Sequence, residues 1–305
     1  MKPMSRRLFA VAAAVLLTSP AAAGVTAGIG QTTGNNNYEA TRLDASLDLG
    51  DSMVLSPSYT RYRADYTNGT YQNFALRAGW VQGPASIGVQ GSALPRVDGY
   101  ERTSAGADLT ISLQPGGSHH GRRMAGPDSG YSQSSGSGLG AADVGVSATE
   151  IIHSDEKDGT GATRSTAFTV GQTDLSAFAG VKFLLTVLSA QLTKSTYTKT
   201  LNNQSPPVRP APYLDLVGVG AISVGYPDFS YNLRASFKAA PIVEPYLSYT
   251  HTTYELGMNP SNAVEAGVKV GLQMLSLRGA YEHFEETGLP DHNYVTVGAA
   301  LNFGD

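Results

Sequence analysis

The chain has 305 residues, a formal net charge of −4 at pH 7, and 35 Gly, 16 Tyr, one Trp and no Cys. A charged fraction of 15% is too low for a typical disordered chain, and without cysteine neither a disulfide scaffold nor a thiolate metal site can form. No apolar run reaches the roughly 18 residues that a membrane-spanning helix requires. The acidic charge balance also argues against nucleic acid as a partner.

The first 23 residues have the features of a secretory signal peptide. A positive start, a short apolar core and small residues before the cleavage point follow one another: Lys2, Arg6, Arg7, Leu8 to Leu17, and Ala21 to Ala23. Such a core is too short to span a bilayer as a helix. We therefore predict a signal peptide over 1–23 and a single exported domain over 24–305.

Polar and apolar residues alternate through most of the remaining chain. The alternation holds without a slip over 42–49, 229–238 and 264–273. Because successive side chains of a strand point to opposite faces, each of these segments has one apolar and one polar face. No segment after residue 23 has a convincing helical period, so the pattern predicts an all-β protein.

The connections between these segments are short on one side and long on the other. Tight turns at 50–51, 82–84 and 239–241 alternate with long polar loops such as 153–173 and 201–227. This asymmetry is typical of a membrane-spanning barrel. We predict about 14 strands, with 12 or 16 as alternatives, over 24–32, 38–49, 53–66, 71–81, 85–97, 104–114, 139–152, 174–185, 187–200, 228–239, 242–255, 262–273, 274–286 and 293–303.

The last predicted strand gives an independent indication of the protein class. It alternates from Tyr294 onward and closes on Phe303, and hairpin sequences recur within the chain, as at 181–189 and 268–276. With the signal peptide, these features resemble the bacterial outer-membrane β-barrel class, porin-like, over the whole exported domain. The resemblance implies a transmembrane antiparallel up-and-down β-barrel in the cell outer membrane. It also implies contact with outer-membrane lipid and lipopolysaccharide, and with the assembly machinery through the strand that ends at Phe303.

The Gly/Ser-rich segment 115–138 lies where the pattern requires a short turn. We predict a flexible periplasmic insert there. The alternative is that the strand count before the segment is off by one.

The apolar face of a spanning barrel must meet lipid, so charges of the opposite parity are expected to face the interior. The predicted pore-lining residues are Arg42, Asp44, Arg61, Arg63, Arg77, Asp108, Asp143, Lys182, Arg234, Glu265, Lys269 and Arg278. Neither sign of charge dominates, which predicts weak ion selectivity.

Six tyrosines lie near the predicted outer strand ends: Tyr62, Tyr66, Tyr71, Tyr249, Tyr254 and Tyr281. Trp80 lies near an inner end. These residues fit two aromatic girdles on the outside of the barrel, although the strand propensity of tyrosine explains their positions equally well.

Polar interior walls favour a porin-like channel for passive diffusion of small hydrophilic solutes, with no cofactor. One alternative is a non-conducting structural or interaction barrel that presents its extracellular loops, because the interior charges can also pair and fill the lumen. Residues 137–144 resemble the opening strand of outer-membrane transporters for aromatic compounds, which adds a transporter for small hydrophobic compounds as another alternative. No Gly-x-Ser-x-Gly elbow occurs, and we predict no enzyme activity.

Histidines and acids gather at the outer ends of the last hairpins. They are His251, Glu255, Glu282, His283, Glu285, Glu286, Asp291 and His292. Imidazole and carboxylate groups can bind a divalent cation, but a solvated acidic rim explains the same residues. We therefore predict no metal site.

Overall fold

A computed structural model describes residues 22–50, 52–65, 67, 69–113, 124–126, 140–155, 168–201, 225–238, 242–272 and 274–303. No helix long and apolar enough to cross a membrane occurs among these residues. Their strands are β1 (Ala22–Gly34), β2 (Tyr38–Leu49), β3 (Met53–Arg63), β4 (Tyr71–Gln82), β5 (Ala85–Val97), β6 (Tyr100–Leu113), β7 (Gly140–Asp155), β8 (Phe168–Phe183), β9 (Thr186–Tyr197), β10 (Pro227–Phe237), β11 (Val243–Tyr254), β12 (Ser261–Leu272), β13 (Leu275–Glu286) and β14 (His292–Phe303).

The fourteen strands form one closed antiparallel barrel in which each strand pairs with its neighbours in sequence. Closure is made by β1 and β14, which pair from Val25 opposite Phe303 to Gly34 opposite Tyr294. Closure gives every strand two partners, so the backbone polar groups are satisfied within the sheet. The predicted fold class and strand number are confirmed.

Two predicted strand starts are wrong. Strand β6 begins at Tyr100 instead of 104, because Asp98 and Gly99 form a two-residue turn with φ of +50° and +83° and Val97 pairs with Tyr100. Asp-Gly is a preferred pair for such a hairpin turn. Strand β8 begins at Phe168 instead of 174, because its extracellular end pairs with β7 as far as Asp155, which lies opposite Phe168.

The two ends of the barrel differ in their connections. Strand β1 starts and β14 ends at the same end, where the short turns after β2, β4, β8, β10 and β12 also lie. We call this end periplasmic, because short turns lie on that side of outer-membrane barrels. Gly50 and Gly83 have positive φ in two of these turns, a conformation that glycine adopts without strain. The β6–β7 connection also begins and ends at the periplasmic end, because β6 ends there and β7 begins there.

The predicted signal peptide lies largely outside the described residues. Strand β1 already begins at Ala22, opposite Leu49 of β2, with a register shift before Gly24. Cleavage after residue 23 therefore stays a prediction.

Apolar side chains form a belt around the outside of the barrel. Leu76, Val146 and Val297 are 49%, 55% and 57% exposed, although they are large and apolar. Other large apolar side chains that are exposed in this belt include Leu109, Ile111, Val144, Leu233, Phe237, Val268 and Leu301. An exposed belt of this kind is favourable only against the acyl chains of a membrane.

Candidate functional site

The inward face of the barrel carries all but two of the predicted pore-lining residues. Those that face inward are Arg42, Asp44, Arg77, Asp108, Asp143, Lys182, Arg234, Glu265, Lys269 and Arg278. That these ten residues line an open pore stays a prediction.

The inward placement of Arg61 and Arg63 is wrong. Between them Tyr62 is 1% exposed and faces inward, so both arginines point outward. Arg63 Nη2 lies 2.8 Å from Glu39 Oε2 on the outer surface, and both side chains are at least half exposed. The two arginines lie at the extracellular end of β3, beyond the apolar belt, where an outward charge does not have to enter lipid.

A buried ion pair links β4 and β6 across the intervening strand. Arg77 Nη2 donates to both carboxylate oxygens of Asp108 at 2.8 Å, and the two side chains are 2% and 1% exposed. Gly88 of β5 lies directly beneath them, and a Cβ there would lie within 2.5 Å of the guanidinium carbon. The glycine therefore lets the pair lie against the wall.

A second buried group joins β11, β12 and β13. Arg278 donates from Nη2 to Glu265 Oε1 at 2.6 Å and from Nε to the Tyr246 hydroxyl oxygen at 2.7 Å. The Tyr246 hydroxyl in turn donates to Glu265. The Arg234 guanidinium carbon and Lys269 Nζ lie 4.2 Å and 5.8 Å from the centre of the Tyr246 ring. Cations at this range are attracted to the ring face.

Aromatic rings fill much of the inward face at the extracellular end. Five tyrosines there are 5% exposed or less: Tyr38, Tyr62, Tyr71, Tyr100 and Tyr294. The Tyr62 and Tyr71 rings stack at 5.2 Å, and Tyr38 meets Tyr294 edge to face at 5.1 Å. Leu94 and Phe284 pack in the same cluster, which we call the outer aromatic cluster. Rings in these arrangements attract each other, in addition to the free energy that is gained by burying their surface.

The prediction that the tyrosines near the predicted outer strand ends form a girdle on the outside of the barrel is wrong for some of them. Tyr62, Tyr71 and Tyr254 belong to the inward parity of their strands, whereas Tyr249 and Tyr281 face outward as predicted. Tyr66 lies outside the described residues. Trp80 faces outward near the periplasmic end and is 43% exposed, as predicted.

A hydrogen-bonded chain continues the buried extracellular region around β6, β7 and β8. Tyr100 Oη and His153 Nδ1 are 2.8 Å apart, and His153 Nε2 lies 2.9 Å from Gln172 Oε1. Since an amide oxygen only accepts, Nε2 carries the hydrogen, and in the neutral ring Nδ1 accepts from the tyrosine. Both Tyr100 and His153 lie outside the predicted strands, and the residue pattern predicts no role for either of them. The Asp-Gly turn before Tyr100 was the available signal.

Tyr226 packs on this chain immediately before β10. Its ring is 0% exposed and meets the rings of His153 and Tyr197 edge to face, at 5.5 Å and 5.8 Å. Burial raises the pKa of its phenol above the ordinary value, so the group stays neutral. Its hydroxyl is buried and has no hydrogen-bond partner among the described residues.

Part of the predicted periplasmic insert lies inside the barrel. Within 114–139 only Met124, Ala125 and Gly126 belong to the described residues, and Met124 and Ala125 are 8% and 3% exposed. The Met124 backbone N–H donates to the inward carboxylate of Asp143 at 2.6 Å. A wholly periplasmic insert is therefore wrong for these three residues.

The extracellular rim brings together part of the histidine and acid cluster. Ligand atoms of His283, Glu285 and Asp291 lie within 4.8 Å of one another. His283 Nδ1 lies 2.8 Å from Asn293 Oδ1, and Nε2 lies 3.0 Å from Glu285 Oε1. Both ring nitrogens are thus engaged, and a cation would have to displace one of these contacts. Hydrogen bonding within the rim explains the arrangement.

The same rim arrangement occurs one hairpin earlier. His251 Nδ1 lies 2.8 Å from Asn262 Oδ1, which also accepts from the Tyr249 hydroxyl at 2.7 Å. Asn293 Oδ1 accepts from the Tyr281 hydroxyl in the corresponding way, at 2.6 Å. His251 therefore belongs to a separate group, while Glu282, Glu286 and His292 face inward and are buried.

No protein-family profile and no curated protein sequence matches the chain. Among solved structures, CdiB from Acinetobacter baumannii is 9% identical, with a TM-score of 0.45 over 92% of this chain, which spans only 60% of that protein. OccAB1 from Acinetobacter baumannii is 7% identical, with a TM-score of 0.46 and coverage of 92% of this chain and 95% of that chain. OccK2 from Pseudomonas aeruginosa, solved in complex with glucuronate, is 13% identical, with a TM-score of 0.44 and coverage of 92% and 96%. These likenesses are too distant to bear on function.

The closed sheet, the apolar outer belt and the charged interior make this chain an outer-membrane β-barrel.

Proposed function

We propose that this barrel is a porin-like channel through which small hydrophilic solutes cross the outer membrane by passive diffusion. The observation that supports it most is the way in which charged inward side chains lie along the barrel wall. The described pairs Arg77–Asp108 and Arg278–Glu265 join strands no more than two apart, and Arg42 Nε pairs with Asp44 of its own strand at 3.6 Å. Pairs of this reach line a wall without crossing the lumen.

Glycines on neighbouring strands make this arrangement possible. A Cβ at Gly28 would lie 2.8 Å from an Asp44 carboxylate oxygen, and one at Gly267 would lie 2.5 Å from the Tyr246 ring. With Gly88 beneath Arg77, three glycines accommodate large polar side chains that lie flat on the sheet. Placing them flat leaves more of the lumen to water.

The half-buried charges are the candidates for contact with a solute. Lys182, Arg234 and Lys269 are partly exposed, unlike the buried pairs beside them. Asp44 and Glu244 are also partly exposed, so both signs of charge reach the lumen. We therefore expect a channel with weak ion selectivity.

The outer aromatic cluster favours a second candidate, a transporter for small hydrophobic ring compounds. Inward rings such as Tyr62 and Tyr294 pack at the extracellular end of the barrel, farther out than the ion pairs Arg77–Asp108 and Arg278–Glu265. Apolar or planar solutes pass such rings more easily than ions do.

Single-channel recording of the refolded chain in a planar bilayer tests the proposal. We expect discrete current steps whose conductance rises with salt concentration. A folded barrel, identified by its shifted mobility on unheated gels, that gives no steps across the salt series would contradict the hydrophilic channel. Uptake of an apolar ring compound into liposomes by such a barrel would then support the second candidate, and a lack of uptake would indicate a non-conducting barrel.

A further inference from the structure

Residues 124–126 of the β6–β7 connection dock on the inner surface of β7 and β8. Their contacts include Asp143, Phe178 and Gly180, all on the inward parity of their strands. Val181, the outward neighbour of Gly180, is 47% exposed on the lipid side. The three docked residues therefore lie in the lumen.

Asp143 anchors the docked residues. It is 0% exposed, and its Oδ2 accepts the backbone N–H of Met124 at 2.6 Å while Oδ1 accepts the Ser112 hydroxyl. Burying a carboxylate is unfavourable unless hydrogen-bond donors compensate it. The connection supplies one of these donors, so the docked state satisfies a group that undocking would leave with one donor fewer.

Glycines allow residues 124–126 and the wall of β7 and β8 to approach each other closely. Phe178 is an apolar side chain on a largely polar inward face, yet it is only 4% exposed. A Cβ on Gly126, or on Gly145 of the wall, would lie within 2.5 Å of its ring, and Gly126 has a φ of +81°. A Cβ on Gly180 would lie 2.7 Å from the Met124 Cβ. The ring thus packs directly against glycine backbone on both the wall and the connection.

We propose that Met124–Gly126 forms the constriction of the channel, entering from the periplasmic end and held by Asp143. This inference rests on the proposed channel function. The docked residues occupy lumen space beside β7 and β8 at the level of Asp143 and cover Phe178. A solute that passes this level must pass beside them, so they narrow the path that is open to it.

Docking is tested first, without reference to conduction. The natural chain has no cysteine, so Ala125→Cys gives a single thiol in the refolded full chain. Because Ala125 is 3% exposed, we expect slow labelling by a membrane-impermeant maleimide. Adding Gly180→Leu, whose side chain would collide with Met124, should speed labelling by about tenfold, since it populates an undocked state. Gly279→Leu is the matched control, because Gly279 faces lipid and a Cβ there meets nothing within 4 Å.

Conduction is tested next with the same substitution in the cysteine-free chain. Gly180→Leu should raise single-channel conductance by roughly half or more and admit larger neutral polymers, whereas Gly279→Leu should change neither. Asp143→Ala, which removes the acceptor of the Met124 N–H, should act in the same direction. It serves as the second variant if Gly180→Leu fails the gel-mobility test of folding.

The outcomes separate this inference from the proposed function. Fast labelling of Ala125→Cys in the parent barrel overturns docking. If Gly180→Leu and Asp143→Ala both accelerate the slow labelling but neither raises the conductance, the constriction is overturned and the proposed channel function is retained. If no variant conducts although labelling behaves as expected, the channel function fails and the constriction fails with it, while docking is supported.

Discussion

Two regions of the lumen are held together by different interactions. Toward the extracellular end, buried rings such as Tyr62, Tyr71 and Tyr294 pack mainly on one another. Toward the middle and the periplasmic end, Arg77–Asp108 and the Arg278 group are held by ion pairs and charge-assisted hydrogen bonds. Removing one member of a buried ion pair is strongly destabilising, because the other charge stays buried without compensation. Removing one ring from a cluster of rings lowers stability only through the lost buried area and the lost packing contacts.

The largest effect is expected at Arg278. The change Arg278→Leu leaves Glu265, which is 4% exposed, without its cation, and we expect a loss of about 3–5 kcal/mol in the free energy of unfolding. Denaturant titration of the barrel in liposomes, followed by tryptophan fluorescence, measures it. The double change Arg278→Leu with Glu265→Leu should lose less than the single change. Equal losses would show that the buried carboxylate is not the cause.

Tyr226 gives the corresponding test in the extracellular half. Tyr226→Ala removes a ring that is 0% exposed, and we expect a loss of about 3 kcal/mol in the free energy of unfolding. Tyr226→Phe removes a buried hydroxyl that has no partner among the described residues, so the free energy should stay within about 1 kcal/mol of the parent or rise. The same denaturant titration measures both. A loss as large for Tyr226→Phe as for Tyr226→Ala would refute packing as the dominant force in this half.

The alternation of residues was sufficient to predict the barrel, its strand number and most inward charges. Strands such as β12 keep one parity throughout, so the inward side of Glu265 and Lys269 follows from the pattern. Strand β3 misled the prediction, because at its extracellular end Tyr62 takes the inward position and Arg61 and Arg63 point out. Charge parity predicts the interior only within the apolar belt, and the pattern does not show where the belt ends.

The docked residues 124–126 could not be predicted at all. Low-complexity Gly/Ser sequence resembles a flexible linker, and the docking depends on contacts with Asp143 and Phe178. Those residues lie on β7 and β8, and which residues of the connection meet them is set by the tertiary fold. The inward phenylalanine at 178 indicates that something covers the wall, but it does not show which residues do so.

Ion selectivity separates the inward from the outward arginines. Arg234→Gln removes a partly exposed inward cation, and we expect the cation-to-anion permeability ratio to rise about two-fold. Arg61→Gln removes a cation of the outer surface and should leave the ratio unchanged. Reversal potentials under a salt gradient measure both. A shift at Arg61 equal to that at Arg234 would show that the outer surface, and not the lumen, sets selectivity.

The smallest effect is expected at the exposed pair Arg63–Glu39. Its side chains are 58% and 50% exposed, and although Nη2 and Oε2 are only 2.8 Å apart, water screens the attraction. Arg63→Ala should therefore change the free energy of unfolding by less than about 1 kcal/mol, and high salt should reduce even that difference. A loss close to that of Arg278→Leu would mean that geometry outweighs burial, because the two pairs have similar N–O distances and differ chiefly in exposure. The contrast between the two arginines thus isolates desolvation as the reason why the lumen, and not the rim, depends on its charge pairs.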